Sequence, residues 1–434
     1  MPENAHWPRK HRTSAVPRWN ASTTAHTSGN PPPDPVRLPA SRAARPPPAR
    51  PASQGGPIVY PSTEVGFMTT WLVRLDPPAI ATGPRVAVKD AIDIEGLPTT
   101  AACPAVGDDA KPALADAPVV ARARAAGAVF VGKTNLTELC RPPDGVNPWT
   151  GTPRNPLDRS LVPGGSSSGS GVAVAKGEAD IAICTDTGGS SRLPAACCGV
   201  AGLKTTAGRL PLDGVFAFAP TMDTIGAIAP NAAGLAQAMT LLEPGFTTTP
   251  YDGEIARLRL PDVTVDPAVD QAVDEALANS DSNVVDVPLT GWLRAGVAAG
   301  LIINAEGYKA HQHLLDGGRM SDRVRDWITR GKYLDDEMVA DARELGRQFR
   351  TQLDVLLNRY GVLALPTMIA PPPKLGDESR YDFTALTAPV NLAGLPAVAL
   401  PLQPTTGPVP PSLQLIGPPN SESSLLSLAA TFTQ

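Results

Sequence analysis

Residues 180–192 read Asp180-Ile-Ala-Ile-Cys-Thr-Asp-Thr-Gly-Gly-Ser-Ser-Arg192, and they decide the fold prediction. A short apolar run that ends at glycines is typical of a buried strand followed by a tight turn. Similar runs predict further strands at residues 85–89, 128–131, 362–365 and 396–400, whereas helical composition marks 117–126, 135–139, 172–176 and 335–360. This alternation predicts an α/β protein whose sheet is covered by helices on both faces.

A second serine cluster, Gly164-Gly-Ser-Ser-Ser-Gly-Ser-Gly171, precedes the first by 24 residues, counted from Ser166 to Ser190. Glycines beside a serine let backbone N–H groups converge on a reacting oxyanion. Lys89 ends the predicted strand at 85–89, and a buried lysine can serve as the base that a serine nucleophile needs. We therefore predict that Ser190 is the nucleophile, that Ser166 relays its proton and that Lys89 accepts the proton.

Histidine offers a weaker alternative base. Of the five histidines, His6, His11 and His26 precede the predicted body, whereas His311 and His313 fall in a helix-like stretch. Gly165-Ser-Ser-Ser-Gly169 matches the letters of a nucleophile elbow, but no clear strand leads into it. We interpret His311 and His313 as surface or boundary residues of a helix.

Two further motifs are set aside on physical grounds. Residues 127–134 match the P-loop pattern, but the residues between Gly127 and Gly132 are Ala, Val, Phe and Val, and β-branched and aromatic residues disfavour a phosphate-binding turn. The five cysteines have no Cys-x-x-Cys spacing and are expected to be free and mostly buried in a cytoplasmic protein. Cys197 is a weak candidate nucleophile, and we expect neither a metal nor another cofactor.

Composition divides the chain in two. Residues 1–67 hold 8 basic and 3 acidic residues and are rich in proline, so we predict a disordered tail, with Met68 as an alternative start. Residues 68–434 form the predicted catalytic domain. The whole chain has a net charge of −5, of which residues 1–67 contribute +5 and the body −10, so we expect no nucleic-acid partner, and no apolar run is long enough for a membrane span.

Several motifs together resemble the amidase signature family, over about residues 80–430. The most specific is Asp186-Thr-Gly-Gly-Ser-Ser-Arg-Leu-Pro-Ala-Ala-Cys-Cys-Gly-Val-Ala-Gly-Leu-Lys-Thr205. The others are the cluster 164–171, Lys89-Asp-Ala-Ile-Asp93, Gly132-Lys-Thr-Asn-Leu-Thr-Glu138, Asn147-Pro-Trp-Thr-Gly-Thr-Pro-Arg-Asn-Pro156, Met222-Asp-Thr-Ile-Gly226, Thr387-Ala-Pro-Val-Asn-Leu-Ala-Gly-Leu-Pro396 and Leu413-Gln-Leu-Ile-Gly417. Residues 99–103 and 409–414 depart from the family pattern.

The resemblance implies one α/β/α domain on a mixed, twisted central sheet. It implies a Ser-Ser-Lys triad of Ser190, Ser166 and Lys89, with Ser166 on a cis peptide. The backbone N–H groups of residues 187–190 (Thr187, Gly188, Gly189 and Ser190) would form the oxyanion hole, and Asp186 and Arg192 would support the site. We expect variable segments at 140–146, 301–313 and 368–382 to line the substrate pocket.

Three functions stay open at this point. The leading one is an amidase that converts a linear carboxylic acid amide and water into the acid and ammonia. The second is the A subunit of a glutamyl-tRNA(Gln)/aspartyl-tRNA(Asn) amidotransferase, and the third is an inactive relative. The expected partner is a small amide substrate, and the sequence leaves the identity of that amide and a homodimer open.

Overall fold

The structure is a computed structural model, and it describes residues 70–76, 81–317, 319–404 and 407–432. The predicted tail over residues 1–67 and the alternative start at Met68 lie outside these residues. The division into a tail and a catalytic domain therefore stays a prediction. Most of the predicted catalytic domain is described.

The central feature is one mixed sheet. Its strands are β1 (Trp71–Arg74), β2 (Arg85–Lys89), β3 (Val129–Thr134), β4 (Ile181–Asp186), β5 (Ala201–Lys204), β6 (Thr224–Ala229), β7 (Ile255–Arg259), β8 (Val284–Pro288), β9 (Val362–Pro366), β10 (Ala397–Pro401) and β11 (Ser412–Ile416). Their order across the sheet is β1-β3-β2-β4-β6-β5-β10-β11-β9-β7-β8. Strand β2 runs parallel to β3 and β4, and β7 runs parallel to β8 and β9, whereas the remaining pairs are antiparallel. The predicted mixed α/β architecture is confirmed.

Helices connect most of these strands. They are α1 (Pro104–Gly107), α2 (Pro118–Ala125), α3 (Ser168–Ala175), α4 (Arg192–Cys198), α5 (Ala232–Leu242), α6 (Pro267–Ala278), α7 (Trp292–His311), α8 (Asp322–Arg330), α9 (Asp336–Tyr360), α10 (Ala388–Leu392) and α11 (Glu422–Thr431). Short 3₁₀ turns lie at Glu138–Cys140, Gln312–Gly317, Gly331–Tyr333 and Glu378–Arg380. Within the described ranges, no helix combines the length and the apolar character that crossing a membrane requires.

Both faces of the sheet are buried. Successive strand residues point to opposite sides of the sheet, and apolar residues on each side pack against helices. In β4, Ile181 and Ile183 belong to an apolar cluster that includes residues of α2, α5, α6 and α11. Ala182 and Cys184 belong to another cluster, which includes residues of α3 and α4. Helices α7, α9 and α10 pack on strands at the other end of the sheet, around Trp292. Both faces of the sheet are therefore covered, as predicted.

The arrangement of β2 and β4 positions the candidate site. These strands are parallel neighbours, with Val88 opposite Ile183. Parallel neighbours end at the same edge of a sheet, so Lys89 at the end of β2 lies beside the last residues of β4. The loop that carries Ser190 leaves the sheet at that edge.

One predicted helix is wrong. Residues 135–139 do not form an α-helix; the chain makes a turn and then the 3₁₀ segment Glu138–Cys140, in which Leu139 has a φ of 48°. The Asn135 side chain accepts a hydrogen bond from the N–H of Leu136 at 2.8 Å and donates one to the carbonyl of Gly151 at 2.9 Å. A side chain that bonds nearby backbone groups competes with helix formation, which explains the difference.

The P-loop match at residues 127–134 is a strand in the structure. Val129–Thr134 form β3, and Lys133 is fully buried in an ion pair with Asp90, with an Nζ–Oδ1 distance of 2.7 Å. Lys133 also donates to the carbonyl of Pro98 and to Thr99 Oγ1. A lysine held in this way has no access to a nucleotide phosphate, so the interpretation made from the sequence is supported.

Gly132 of β3 provides a test of the strand assignment. Its φ is +144°, and an added Cβ would lie 2.1 Å from the Val73 carbonyl oxygen on β1. We expect Gly132→Ala to lower the free energy of unfolding by about 2–4 kcal/mol, because it combines overpacking with backbone strain. Thermal and urea unfolding would measure the change.

Gly177→Ala is the matched control, because Gly177 also has a positive φ (+66°) but has no heavy atom within 4 Å of an added Cβ. Its expected cost is about 1 kcal/mol, from the left-handed backbone alone. Equal loss of stability in the two variants would contradict the close packing of β1 on β3.

Candidate active site

Ser190 lies in the turn between β4 and α4. Gly189 has a φ of +134°, and a Cβ there would lie 2.4 Å from Thr387 Oγ1, so this position requires glycine. Gly188 differs, because a Cβ there would make only ordinary contacts, the nearest 3.6 Å away on Ile303. The two glycines therefore have different roles: Gly189 permits the turn, and Gly188 leaves space in front of Ser190.

A buried ion pair holds this turn in place. Arg192 donates to both carboxylate oxygens of Asp186, at 3.0 Å from Nε and 2.9 Å from an Nη, and both side chains are fully buried. The same carboxylate accepts hydrogen bonds from the N–H of Gly189 at 2.8 Å and from the N–H and Oγ of Ser191. Burial alone would raise the pKa of Asp186, but the charge and hydrogen bonds of Arg192 outweigh burial and lower it.

Residues from the C-terminal part of the chain complete the support. Arg192 also donates to the Thr387 carbonyl, to Asn391 Oδ1 and to Gln414 Oε1, over a separation of about 200 residues in the chain. These three residues fall within motifs of the family resemblance, but none of them was predicted to support the site. A polar side chain within an apolar strand, such as Gln414 in β11, was the available signal.

Lys89 and Ser166 are brought together, as their predicted roles require. Lys89 is fully buried, and its Nζ donates to Ser166 Oγ and to Thr185 Oγ1, each at 2.8 Å. The peptide bond between Gly165 and Ser166 is cis, as the family resemblance implied. No hydrogen bond joins Ser166 to Ser190 in the described part of the chain, so the structure contains the first link of the expected relay and not the second.

Three lysines near this edge of the sheet are fully buried, and their surroundings differ. Lys133 is paired with Asp90, whereas Lys89 contacts hydroxyl groups. Lys204 donates to two backbone carbonyls, and burial together with the nearby charge of Arg192 lowers its pKa to about 7. Of the three, Lys89 is the one in contact with a serine of the two clusters.

The backbone N–H groups at the turn are not equivalent. The N–H of Gly189 is engaged by Asp186, whereas those of Thr187, Gly188 and Ser190 have no acceptor among the described residues. The Thr187 side chain donates to Asp223 at 2.6 Å, which fixes the start of the turn. Three of the four predicted oxyanion-hole donors are therefore available to a ligand.

Ser190, Thr187 and Gly188 line a cavity of about 160 Å³. The predicted pocket segments 140–146 and 301–313 contribute to it, through Cys140, Arg141, Pro143, Ile303 and Asn304. The segment 368–382 contributes none of the described lining residues; Thr384 and Ala388 line the wall instead. Five further lining residues were not predicted, because they reach the cavity from other parts of the chain: Phe218, Gly296, Gly300, Trp327 and Arg330.

The prediction for His311 is wrong in one respect. His313 is exposed, but His311 is buried, with 4% of its surface accessible. It lies 5.0 Å from Phe216 and 5.5 Å from Phe218, measured between ring centroids. Helix α7 turns this side chain inward at its last residue, which periodicity near a helix end does not specify. Burial lowers the pKa of His311 to about 4.

The cysteines behave as buried thiols. All five are free, and Cys140 is the only one of them that is partly exposed. Burial raises the pKa of Cys197 well above its ordinary value. Because the thiolate is the nucleophilic form, this environment argues against Cys197 as a nucleophile.

Comparison with known proteins decides the family. The family model described as Amidase matches residues 76–250 and 254–426. The chain belongs to the amidase family. Among solved structures, one titled "Crystal structure of amidase" superposes with a TM-score of 0.74 at 28% identity, covering 81% of this chain and 84% of that chain. The family and the fold predicted from the sequence are confirmed.

Two curated relatives of this amidase-family chain have different names. The A subunit of glutamyl-tRNA(Gln) amidotransferase from Halobacterium salinarum is 34% identical over 406 residues, which cover 81% of this chain and 95% of the relative. The 2-amino-5-chloromuconic acid deaminase of Comamonas testosteroni is 33% identical over 383 residues, which cover 80% of each chain.

The first of these relatives corrects one expectation. The acidic net charge of this amidase-family chain led us to expect no nucleic-acid partner. That expectation is wrong, because the relative is named as a subunit of an amidotransferase for glutamyl-tRNA(Gln). The physical reason is that net charge describes a single chain, whereas in an assembly other subunits can provide the RNA-binding surface.

His311 predicts a pH dependence of stability. Its pKa is about 4 in the folded protein and 6.5 ordinarily, so between these values the unfolded chain binds more protons. The stabilisation is complete above pH 6.5 and is lost as the pH falls towards 4. We expect His311→Gln to reduce the loss of unfolding free energy between pH 7.5 and pH 5 by about 2 kcal/mol.

The measurement is urea unfolding of the wild type and the variant at the two pH values. The exposed His313→Gln variant is the control and should keep the wild-type pH dependence. If His311→Gln also keeps it in full, the buried, neutral state of His311 is contradicted.

Proposed function

We propose that this chain hydrolyses a carboxamide through an acyl-enzyme on Ser190, and that it does so as the A-type subunit of an amidotransferase. The observation that carries the chemistry is the buried hydrogen bond between Lys89 and Ser166, at the sheet edge from which the Ser190 turn departs. Ser190 lies in the wall of the cavity, 8% exposed, so its hydroxyl can meet a substrate there.

The proposed first step transfers the acyl group. Ser190 Oγ attacks the amide carbonyl carbon, its proton passes to Ser166 Oγ, and the Ser166 proton passes to an uncharged Lys89 Nζ. The hydrogen bond between Lys89 Nζ and Ser166 Oγ supports this path for the proton. A C–O bond forms while the π bond of the carbonyl breaks, so the carbon becomes tetrahedral and its oxygen becomes an oxyanion.

The free N–H groups of Thr187, Gly188 and Ser190 are the proposed donors to that oxyanion. Each such donor contributes roughly 3–4 kcal/mol to transition-state stabilisation in related chemistry. Collapse of the intermediate breaks the C–N bond, and the nitrogen takes the relayed proton and leaves as ammonia. Water then attacks the acyl-Ser190 ester and releases the acid, with the same groups moving the protons.

The assembly part of the proposal has separate support. The match to the amidotransferase relative from Halobacterium salinarum covers 95% of that relative's length and 81% of this chain. The solved structure titled "Crystal structure of amidase", whose title names no subunit, supports a second candidate, an amidase that works alone. The chemistry at Ser190 is common to the two candidates, and they differ in whether other subunits are needed.

The triad is tested by substitution and active-site labelling. We expect Ser190→Ala to abolish labelling by a fluorophosphonate probe and release of ammonia, and Lys89→Ala to lower turnover by at least about 10³-fold because the base is lost. Ser168→Ala is the matched control: Ser168 is buried near Ser166 and its Oγ has no hydrogen-bond partner among the described residues. Labelling that persists in Ser190→Ala would overturn the nucleophile assignment.

The assembly is tested by co-expression with the genes of the other amidotransferase subunits from the same organism. We expect a stable complex whose glutamine-dependent ammonia release rises at least about tenfold when glutamyl-tRNA(Gln) is added. The isolated chain and the Ser190→Ala complex are the controls. Full amide turnover by the isolated chain, with no complex formed, would favour the amidase that works alone.

A further inference from the structure

Two arginines reach the cavity that contains Ser190. Arg141 follows the 3₁₀ turn Glu138–Cys140, and Arg330 is the last residue of α8. The Cζ atom of Arg141 lies 4.3 Å from the centroid of the Trp327 ring, and that of Arg330 lies 4.7 Å from the same centroid. One indole thus holds two positive charges beside the nucleophile.

Neither guanidinium forms an ion pair with a described residue. Across the described residues, no carboxylate oxygen lies within 4.0 Å of a nitrogen of Arg141 or Arg330, whereas Arg323 on the same helix α8 pairs with Asp144. The hydrogen bond of Arg141 is to an amide oxygen, Asn304 Oδ1, at 3.1 Å.

The surroundings make this arrangement costly without an anion. Arg141 is partly buried and also lies 5.0 Å from the Phe218 ring centroid. Burial and the charge of Arg330 lower the pKa of Arg141 to about 9, which still leaves it charged at neutral pH. An acidic group near the wall, Asp223, is engaged by Thr187 and by the N–H groups of Phe218 and Ala219.

The size of the cavity limits the ligand. A volume of about 160 Å³ suits a molecule of roughly benzene's size. Gly296 and Gly300 of α7 leave that space open, because a Cβ on Gly300 would meet no heavy atom within 4 Å and one on Gly296 would meet only Pro389 at 3.9 Å. The cavity therefore combines a nucleophile, a small volume and two cations without carboxylate partners among the described residues.

We propose that Arg141 and Arg330 bind the carboxylate of a small substrate whose carboxamide lies at Ser190, so that the enzyme selects amides that carry a carboxylate over amides that lack one. This inference rests on the proposed amide hydrolysis and adds the substrate class. Arg141 is the stronger contact, because it is partly buried and positioned by Asn304, and Arg330, which is exposed, acts at the mouth of the cavity.

The test compares two amides of equal size, succinamate and its uncharged counterpart succinamide. We expect kcat/KM for succinamate to exceed that for succinamide by at least about tenfold, the value of one charge-assisted hydrogen bond. Arg141→Gln should lower kcat/KM for succinamate by about 10- to 100-fold, mainly through KM, and leave succinamide within about threefold. Arg330→Gln should show the same pattern with a smaller loss.

Arg347→Gln is the matched control for net charge. Arg347 is exposed on α9, where it pairs with Glu344, and its loss should leave the ratio of the two substrates unchanged. A second readout needs no turnover: succinamate should protect Ser190 from the fluorophosphonate better than succinamide does, and Arg141→Gln should remove the difference.

The outcomes separate the two proposals. Absence of Ser190 labelling in the wild type would remove the proposed hydrolysis, and the substrate inference with it. Labelling with equal protection by the two amides, or equal loss for both substrates in Arg141→Gln, would overturn the carboxylate site and leave the hydrolysis standing.

Discussion

The buried ion pair between Asp186 and Arg192 is the interaction on which the site depends. It joins the end of β4 to the start of α4, and its Asp186 carboxylate accepts a hydrogen bond from the N–H of Gly189, so the pair determines the path of the chain on both sides of Ser190. Removing one partner of such a pair leaves an uncompensated buried charge, which typically costs about 3–5 kcal/mol. The free N–H groups of the turn point where they do because this carboxylate holds their neighbours.

Charged side chains behind the Ser190 turn have partners of opposite charge, whereas those in front of it have no described carboxylate partner. Behind it, Asp186 and Arg192 pair with each other, and Lys133 pairs with Asp90. In front of it, Arg141 and Arg330 face the cavity, and no described carboxylate pairs with them. Buried charge is costly unless it is paired, and both of these buried carboxylates, Asp186 and Asp90, have a cationic partner. Lys89, in contrast, donates its hydrogen bonds to hydroxyl groups.

Much of the fold followed from local sequence patterns. The strands at 85–89, 180–184, 362–365 and 396–400 could be predicted because their apolar runs end at clear breaks, and each lies in the sheet within a residue or two. The helix predicted at 135–139 is wrong, because Asn135 uses its side chain in place of a helical hydrogen bond. His311 was expected near the surface, but the packing of Phe216 and Phe218 against α7 encloses it.

The amino-acid sequence alone identified the candidate chemical groups and the family. Lys89, Ser166 and Ser190 could be named because glycine-bracketed serines and a lysine at a strand end carry local signals. Their surroundings became visible only in the folded chain. The partners of Arg192 come from residues 387–414, and the cavity wall combines Arg141, Phe218 and Arg330 from separate parts of the chain. The physical reason is that strand order and helix packing determine these contacts. A local sequence pattern does not specify which distant residues meet at one edge of the sheet.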